Sequence, residues 1–299
     1  IPKIVPELEC YLQPVPKSTL LADGRRLTYE QMAVMGIINV TPDSFFAGSR
    51  RPGLDAALQQ AETMLADGAA ILDIGGESTR PGSDSVGQEE EMRRVLPVVE
   101  AIKKRFPASM ISVDTYRAAV AEAAMQCGGD IINDVTAMTG DAAMLGTVLK
   151  TKAPIVLMHM RGKPKDMQQQ CEYTNVVQEV TSYLLAQAQL LGAEGVAPEK
   201  IILDPGIGFA KKTEQNLRLM QNLNALTANE YPVLMAASRK TTIGQVLSAG
   251  QQPLPPEERL EGTLAVTAAA LYAGAAMVRV HDVKENLRLI RMLEAIRNV

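Results

Sequence analysis

The chain has 299 residues, 46% hydrophobic and 21% charged, with a formal net charge of −4. That balance supplies a full globular core and argues against a disordered chain, and the acidic sign leaves no bulk electrostatic hold on nucleic acid. No apolar run approaches the roughly 20 residues of a bilayer crossing, so no membrane partner is expected, and three scattered cysteines (Cys10, Cys127, Cys171) read as the reduced thiols of a cytoplasmic protein.

In chain order, residues 1–33 stand outside the pattern that follows. Pro14 and Pro16 mark an extended arm, and Asp23-Gly24, flanked by Leu20, Leu21 and Leu27, predicts a hairpin placed to cap one end of the molecule. From residue 34 onward, apolar runs of strand length recur at 34 to 39, 70 to 75, 109 to 113, 130 to 133, 154 to 158, 200 to 204, 232 to 237 and 276 to 280. The segments between them repeat apolar residues at three- and four-residue spacing. One carries Val176, Val177, Val180, Tyr183, Leu184, Ala188 and Leu191, with Gly192 as its expected stop. Eight strands separated by helices predict a (β/α)8 TIM barrel over 34–299, preceded by the N-terminal arm and hairpin. An open doubly wound sheet is disfavoured, because it would gather ligand-type residues at one switch point and here they follow every strand.

Those strand ends carry the chemistry. They read MGIINVTPDSF (35–45), DIGGESTRPG (73–82), ISVDTYR (111–117), DIINDVTA (130–137), IVLMHM (155–160), IILDPGIGF (201–209), LMAASRKTTIG (234–244) and MVRVHDV (277–283). Strand C-termini of a barrel converge on one face. Asp114 and Asp204 are then candidates to accept from the adjacent ring N–H and exocyclic amine of an amino-oxo-pyrimidine, with Lys240 or Asn133 donating to its carbonyl oxygen. A multiply charged anion would draw on Arg80, Arg279 and His281, completed by backbone N–H groups or Mg2+. Asp73 reads as orienting its own loop, Asp130 and Asp134 as helix caps more than ligands, and His159 equally as a supporting residue or a ligand. No Ser-His-Asp or Cys-His pairing in convincing context points to a covalent intermediate.

The eight runs, in this order and content, resemble the dihydropteroate synthase family of folate biosynthesis, from about residue 34 to 298. The resemblance implies joining of 4-aminobenzoate to 6-hydroxymethyl-7,8-dihydropterin diphosphate with release of pyrophosphate. It implies Asn39 as a Mg2+ or pyrophosphate contact, and Thr79 and Arg80 as contacts to pyrophosphate and aminobenzoate. Asp114, Asn133, Asp204 and Lys240 would hold the pterin edge, while Met158 and Phe209 form its apolar wall and Ser238 lines the pocket. Arg279 would pack over the pterin and meet the diphosphate with His281. Phe45, Pro81 and Lys240 would wall the aminobenzoate pocket, and Arg80, Lys240, Arg279 and His281 form the catalytic set. A homodimer, without nucleic acid or membrane partners, is implied as well. The run Phe46, Ala47, Gly48, Ser49, Arg50 and Arg51 departs from the family's small polar loop. A methyltetrahydrofolate-corrinoid methyltransferase is the alternative enzyme, although Arg80 and the Arg279, His281 pair answer a diphosphate that its substrate lacks. A non-catalytic pterin-binding barrel is the alternative from another class.

Overall fold

The computed structural model describes residues 18–40, 52–77, 85–162 and 165–299. Two short strands, β1 (Ser18–Leu20) and β2 (Arg26–Thr28), pair antiparallel. Their loop closes through Leu21 N–H to Arg25 O at 2.9 Å, with Gly24 at φ +88°. Then come β3 (Ala33–Asn39), α1 (Pro52–Ala66), β4 (Ile71–Gly75), α2 (Gln88–Arg105), β5 (Met110–Asp114), α3 (Ala118–Gln126), β6 (Ile131–Asp134) and α4 (Met144–Thr151). The second half continues with β7 (Ile155–Met158), α5 (Val176–Ala193), β8 (Ile201–Asp204), α6 (Thr213–Gln221), α7 (Asn224–Thr227), β9 (Leu234–Met235), α8 (Thr241–Leu247), α9 (Leu260–Tyr272), β10 (Met277–Val280) and α10 (Val283–Arg297).

Strands β3 to β10 form one eight-stranded parallel sheet in the order β8-β7-β6-β5-β4-β3-β10-β9. Its two edges meet at a bridge between Leu203 and Val233, supported by Leu203 N–H to Pro232 O at 2.9 Å, and the sheet becomes a barrel. The expected strand at 232 to 237 is therefore reduced to Leu234–Met235. Pro232 brings no N–H to the ladder, and Lys240 N–H to Ala237 O at 3.1 Å already turns the chain away from the sheet.

Alternation along each strand sorts the side chains. Outward residues such as Ile38, Leu72, Ile74, Ile111, Val113, Leu157 and Leu203 pack under the helices in the main core. Inward residues at the strand starts, Met35, Ile71, Ile131, Val156, Ile202, Leu234 and Met277, fill the barrel and are capped from below by Leu21 and Leu27 of the hairpin. Each such side chain contributes about 1.5–3 kcal/mol of transfer free energy, so the lower half of the barrel is a plug that can carry polar residues above it.

Asp130 belongs to that lower end. It accepts from Lys103 Nζ and from Ile111 N–H, both at 2.9 Å, and pairs with Arg25 of the hairpin. Asp134 faces outward and caps its own turn through Thr136 N–H at 2.8 Å and Met138 N–H at 2.7 Å. In α5 the buried stripe is Val176, Val180, Leu184, Ala188 and Leu191, but Gly192 lies inside the helix. The stop is Gly195 at φ +88°, where Gly195 N–H reaches Gly192 O and Val196 N–H reaches Leu191 O, each at 3.0 Å.

Candidate active site

Above the plug, inward positions nearer the strand ends place Asp73 (β4), Asp114 (β5), Asn133 (β6), Met158 (β7), Asp204 (β8) and Arg279 (β10) around one mouth. Asp114, Asn133, Met158, Asp204, Phe209, Lys240 and Arg279 line a single cleft, joined by Val135 and Ala236. A larger open cleft between the start of α5 and α6, lined by Tyr173, Gln178, Gln215, Arg218 and Asn222 among others, lies outside the barrel mouth and lacks this set of carboxylates and cations.

Arg279 is the hub. Its Nε donates to Asp73 Oδ2 at 2.6 Å and its Nη2 to Asp114 Oδ2 at 2.8 Å. Asp73 is fully buried, and Asn133 Nδ2 approaches both of its oxygens at 3.3 Å. Burial opposes the charge on Arg279, but Asp73 and Asp114 outweigh it and hold the guanidinium above its ordinary value. Burial pushes the Asp114 carboxyl up to about 7; Arg279 pulls it back and Asp73 adds to the rise. Asp73 therefore serves Arg279, and the loop-orienting role expected for it is replaced. Alternation from inward Ile71 carries the signal that it faces the mouth.

Across the cleft, Asp204 accepts from Gly206 N–H at 2.7 Å, and burial raises its pKa against the pull of Lys240. Lys240 donates from Nζ to Ile207 O and stands 4.4 Å over the Phe209 ring centroid. Burial draws its ammonium down to about 8, partly offset by Asp204. The turn carrying Lys240 is tied to the end of β10 twice. Ser238 Oγ meets His281 Nδ1 at 3.0 Å and accepts from His281 N–H at 3.2 Å, and Arg239, at φ +56°, donates Nε to Asp282 Oδ2 at 2.9 Å. Ser238, expected to line the pocket, turns its hydroxyl to His281.

His159 lies behind the cleft. Its Nδ1 meets Lys211 Nζ at 3.0 Å, its ring stands edge-on to Tyr183 at 5.0 Å, and burial, then Lys211, push its pKa down to about 3. Sequence reasoning missed Lys211 altogether, because one of two adjacent lysines after a glycine-rich loop carries no periodic signal. Asn39 ends β3 half-buried beside Gly75. Among the described residues no group of three His, Cys, Asp or Glu side chains is placed to hold a metal. Phe45, Thr79, Arg80 and Pro81, with the 46–51 run, lie outside the described residues. The flanks of 78–84 converge on Arg117, whose Nη1 pairs with Glu77 at 2.7 Å and with Glu91, and whose Nη2 reaches Val86 O at 2.6 Å.

A parallel barrel whose mouth sets paired carboxylates, an amide and two cations beside an aromatic wall defines a binder of a flat, donor-rich heterocycle. The pterin-binding enzyme family matches residues 35–281. Dihydropteroate synthase of Synechocystis sp. (strain ATCC 27184 / PCC 6803 / Kazusa) is 43% identical over 283 residues, 95% of each chain. Among solved structures, Xanthomonas albilineans dihydropteroate synthase with 4-aminobenzoic acid superposes with a TM-score of 0.87 at 37% identity, covering 96% of this chain and 100% of that one. The Yersinia pestis dihydropteroate synthase with a sulfonamide drug gives 0.85 at 41% identity, over 92% and 98%. The chain belongs to the pterin-binding enzyme family, within its dihydropteroate synthases.

Proposed function

We infer that this chain is a transferase of folate biosynthesis, condensing 4-aminobenzoate with 6-hydroxymethyl-7,8-dihydropterin diphosphate to give 7,8-dihydropteroate and pyrophosphate. The observation that carries the reading is the Asp114, Asn133, Asp204, Lys240 set around one cleft, facing the Phe209 and Met158 wall. The carboxylates suit the ring N–H and exocyclic amine, and Lys240 or Asn133 the carbonyl oxygen. Loss of pyrophosphate builds positive charge on the methylene carbon, which the dihydropterin ring delocalises. The aminobenzoate nitrogen then forms the new C–N bond and gives up a proton, with no protein nucleophile needed. The protein contributes positioning and a preformed field, together about 10 kcal/mol of barrier lowering.

The finer assignments belong to the same proposal. Arg80 and His281 would meet the leaving group, and Thr79, Phe45, Pro81 and Lys240 the aminobenzoate. Mg2+ fits this chain as an ion shared with substrate, since it retains water and phosphate oxygens and needs few protein ligands; Asn39 would offer it one carbonyl oxygen. When bound it would neutralise charge on the diphosphate. A homodimer is supported by Leu217 on α6 and Val246 and Leu247 on α8, apolar side chains left exposed on the outer helices. No helix among the described residues is long and apolar enough to cross a membrane. Pyrophosphate release from the pterin diphosphate, measured with and without 4-aminobenzoate, tests the reading. Release that depends on 4-aminobenzoate supports it; turnover of methyltetrahydrofolate with a corrinoid, or pterin binding without turnover, would replace it.

A further inference from the structure

Lys211 is 3% exposed, among the most enclosed cations of the described residues, and it lines no part of the cleft. Its ammonium lies 2.9 Å from Gly206 O, 2.9 Å from Phe209 O, 3.2 Å from His159 O and 3.0 Å from His159 Nδ1. An ammonium has three protons and no acceptor, so those contacts use its whole capacity. Burying a charge is costly, and an apolar side chain of the same length would fill the space more cheaply. What an apolar side chain cannot do is gather carbonyl oxygens.

The gathered carbonyls belong to a loop that resists its own shape. Between Asp204 and Lys211, three residues have left-handed backbone: Gly206 at φ +68°, Gly208 at φ +85° and Ala210 at φ +50°, the last at a steric cost. A Cβ on Gly206 would stand 2.0 Å from His159 O, so the loop sits hard against β7. It also presents much of one side of the cleft. Gly206 N–H orients Asp204, Ile207 O receives Lys240, and the Phe209 ring lies under the Lys240 ammonium. Asn216 Oδ1 accepts from Gly208 N–H at 2.8 Å and Gln168 Nε2 donates to Gly208 O at 3.0 Å, which pins the tip of the loop; Gly206 O accepts from Phe209 N–H at 3.1 Å as well as from Lys211, and Phe209 O from Lys211.

We propose that Lys211 is a positioning residue for the pterin slot, its ammonium drawing the Gly206, Phe209 and His159 carbonyls together so that Asp204, Ile207 O and the Phe209 ring stand at the height the heterocycle needs. The proposal rests on the pterin reading above. Burial pushes the Lys211 amine well below its ordinary value and Asp204 is the charge that most opposes the shift, so the residue that holds the heterocycle also favours the protonated form of the residue that shapes its slot.

Lys211→Met in the full chain keeps the length of the side chain and removes the donors. Calorimetry would compare 6-hydroxymethyl-7,8-dihydropterin with inorganic pyrophosphate, alongside steady-state kinetics. The dissociation constant for the pterin and the KM for its diphosphate should rise about tenfold or more, as when a partner supporting a ligating side chain is lost, with pyrophosphate affinity unchanged. Unchanged pterin affinity would overturn the proposal, and so would parallel losses for both ligands, which mean general loosening. If Lys211→Met does not fold, the same comparison on Lys211→Leu, which likewise carries no donor, decides between these outcomes. Failure of the pterin reading itself would show separately, as absence of pterin binding by the unaltered protein.

Discussion

Pterin affinity should pass through an optimum between about pH 7 and 8, set by two groups that burial has moved toward each other. The acid limb belongs to Asp114, pushed up to about 7 by burial with Arg279 opposing; the basic limb belongs to Lys240, drawn down to about 8 by burial with Asp204 opposing. If the ionised carboxylate accepts from the heterocycle and the protonated amine donates to it, binding weakens when either loses its working form. For a group titrating near 7 the ionised share falls from about nine-tenths at pH 8 to about one-tenth at pH 6, while Lys240 near 8 goes from about half to almost fully protonated, so affinity should fall about fivefold, or about 1 kcal/mol. Asp204, also raised, steepens the fall at lower pH. Calorimetry with 6-hydroxymethyl-7,8-dihydropterin across this range, on the unaltered protein, Asp114→Asn and Lys240→Arg, separates the limbs, because the ligand's own titration is common to all three. The acid limb near pH 7 should vanish in Asp114→Asn, leaving the fall at lower pH from Asp204, and the basic limb should vanish in Lys240→Arg. Equal affinity at pH 6 and pH 8 in the unaltered protein, or a limb still centred near pH 7 in Asp114→Asn, would refute the reasoning.

Four substitutions extend the test to other parts of the molecule. Gly206→Ala places a Cβ 2.0 Å from His159 O at a positive φ, and should cost about 2–3 kcal/mol of stability and most pterin binding, read by urea unfolding and calorimetry. Asp130→Asn weakens the ties to Lys103 and Arg25 at the closed end of the barrel, and should cost about 2 kcal/mol in urea unfolding while pterin affinity stays unchanged. Arg117→Leu frees both flanks of the 78–84 segment and leaves Glu77 and Glu91 without their common partner. It should raise the KM for 4-aminobenzoate more than pterin affinity falls, at about 3 kcal/mol of stability. Arg279→Gln should weaken the isolated pterin and leave inorganic pyrophosphate affinity nearly intact, by paired titrations of the two ligands.

The barrel was legible because its strands are buried on both faces. Continuous apolar runs such as Ile71-Leu72 and Ile201-Ile202-Leu203 mark strands without helical ambiguity when Gly, Pro or Asp bounds them. The same two-residue period placed Asn133, Asp204 and Arg279 at the mouth, since each follows an inward apolar residue by two, and Asp114 with them, four residues after Met110. Applied to Ile71 it would also have turned Asp73 inward; reading Asp73 with its glycine-rich loop obscured this. Lys211 and the Arg239–Asp282 pair were beyond such reading. They depend on contacts between segments about 50 and 43 residues apart, which no local spacing encodes. Gly192 failed as a helix stop for a physical reason: a glycine ends a helix where the chain adopts a positive φ, and the chain does so at Gly195.

The charge arrangement divides the labour between the two ends of the substrate. A neutral heterocycle cannot supply counter-charge, so the groups that hold it must balance among themselves. Arg279 gives Nε to Asp73 and Nη2 to Asp114, and these three groups sum to −1 with both carboxyls ionised or to zero with Asp114 protonated. Such a cluster orients Asp114 but presents no net positive field to a diphosphate. Arg279 therefore serves the pterin slot through Nε and Nη2, and it stands two residues from His281. Under the proposed function, neutralisation of the leaving group would fall to His281, Arg80 and Mg2+ brought with the substrate. A slot whose charges balance among themselves can therefore hold the neutral pterin without the diphosphate, and pterin binding by the isolated heterocycle is the measurement that checks it.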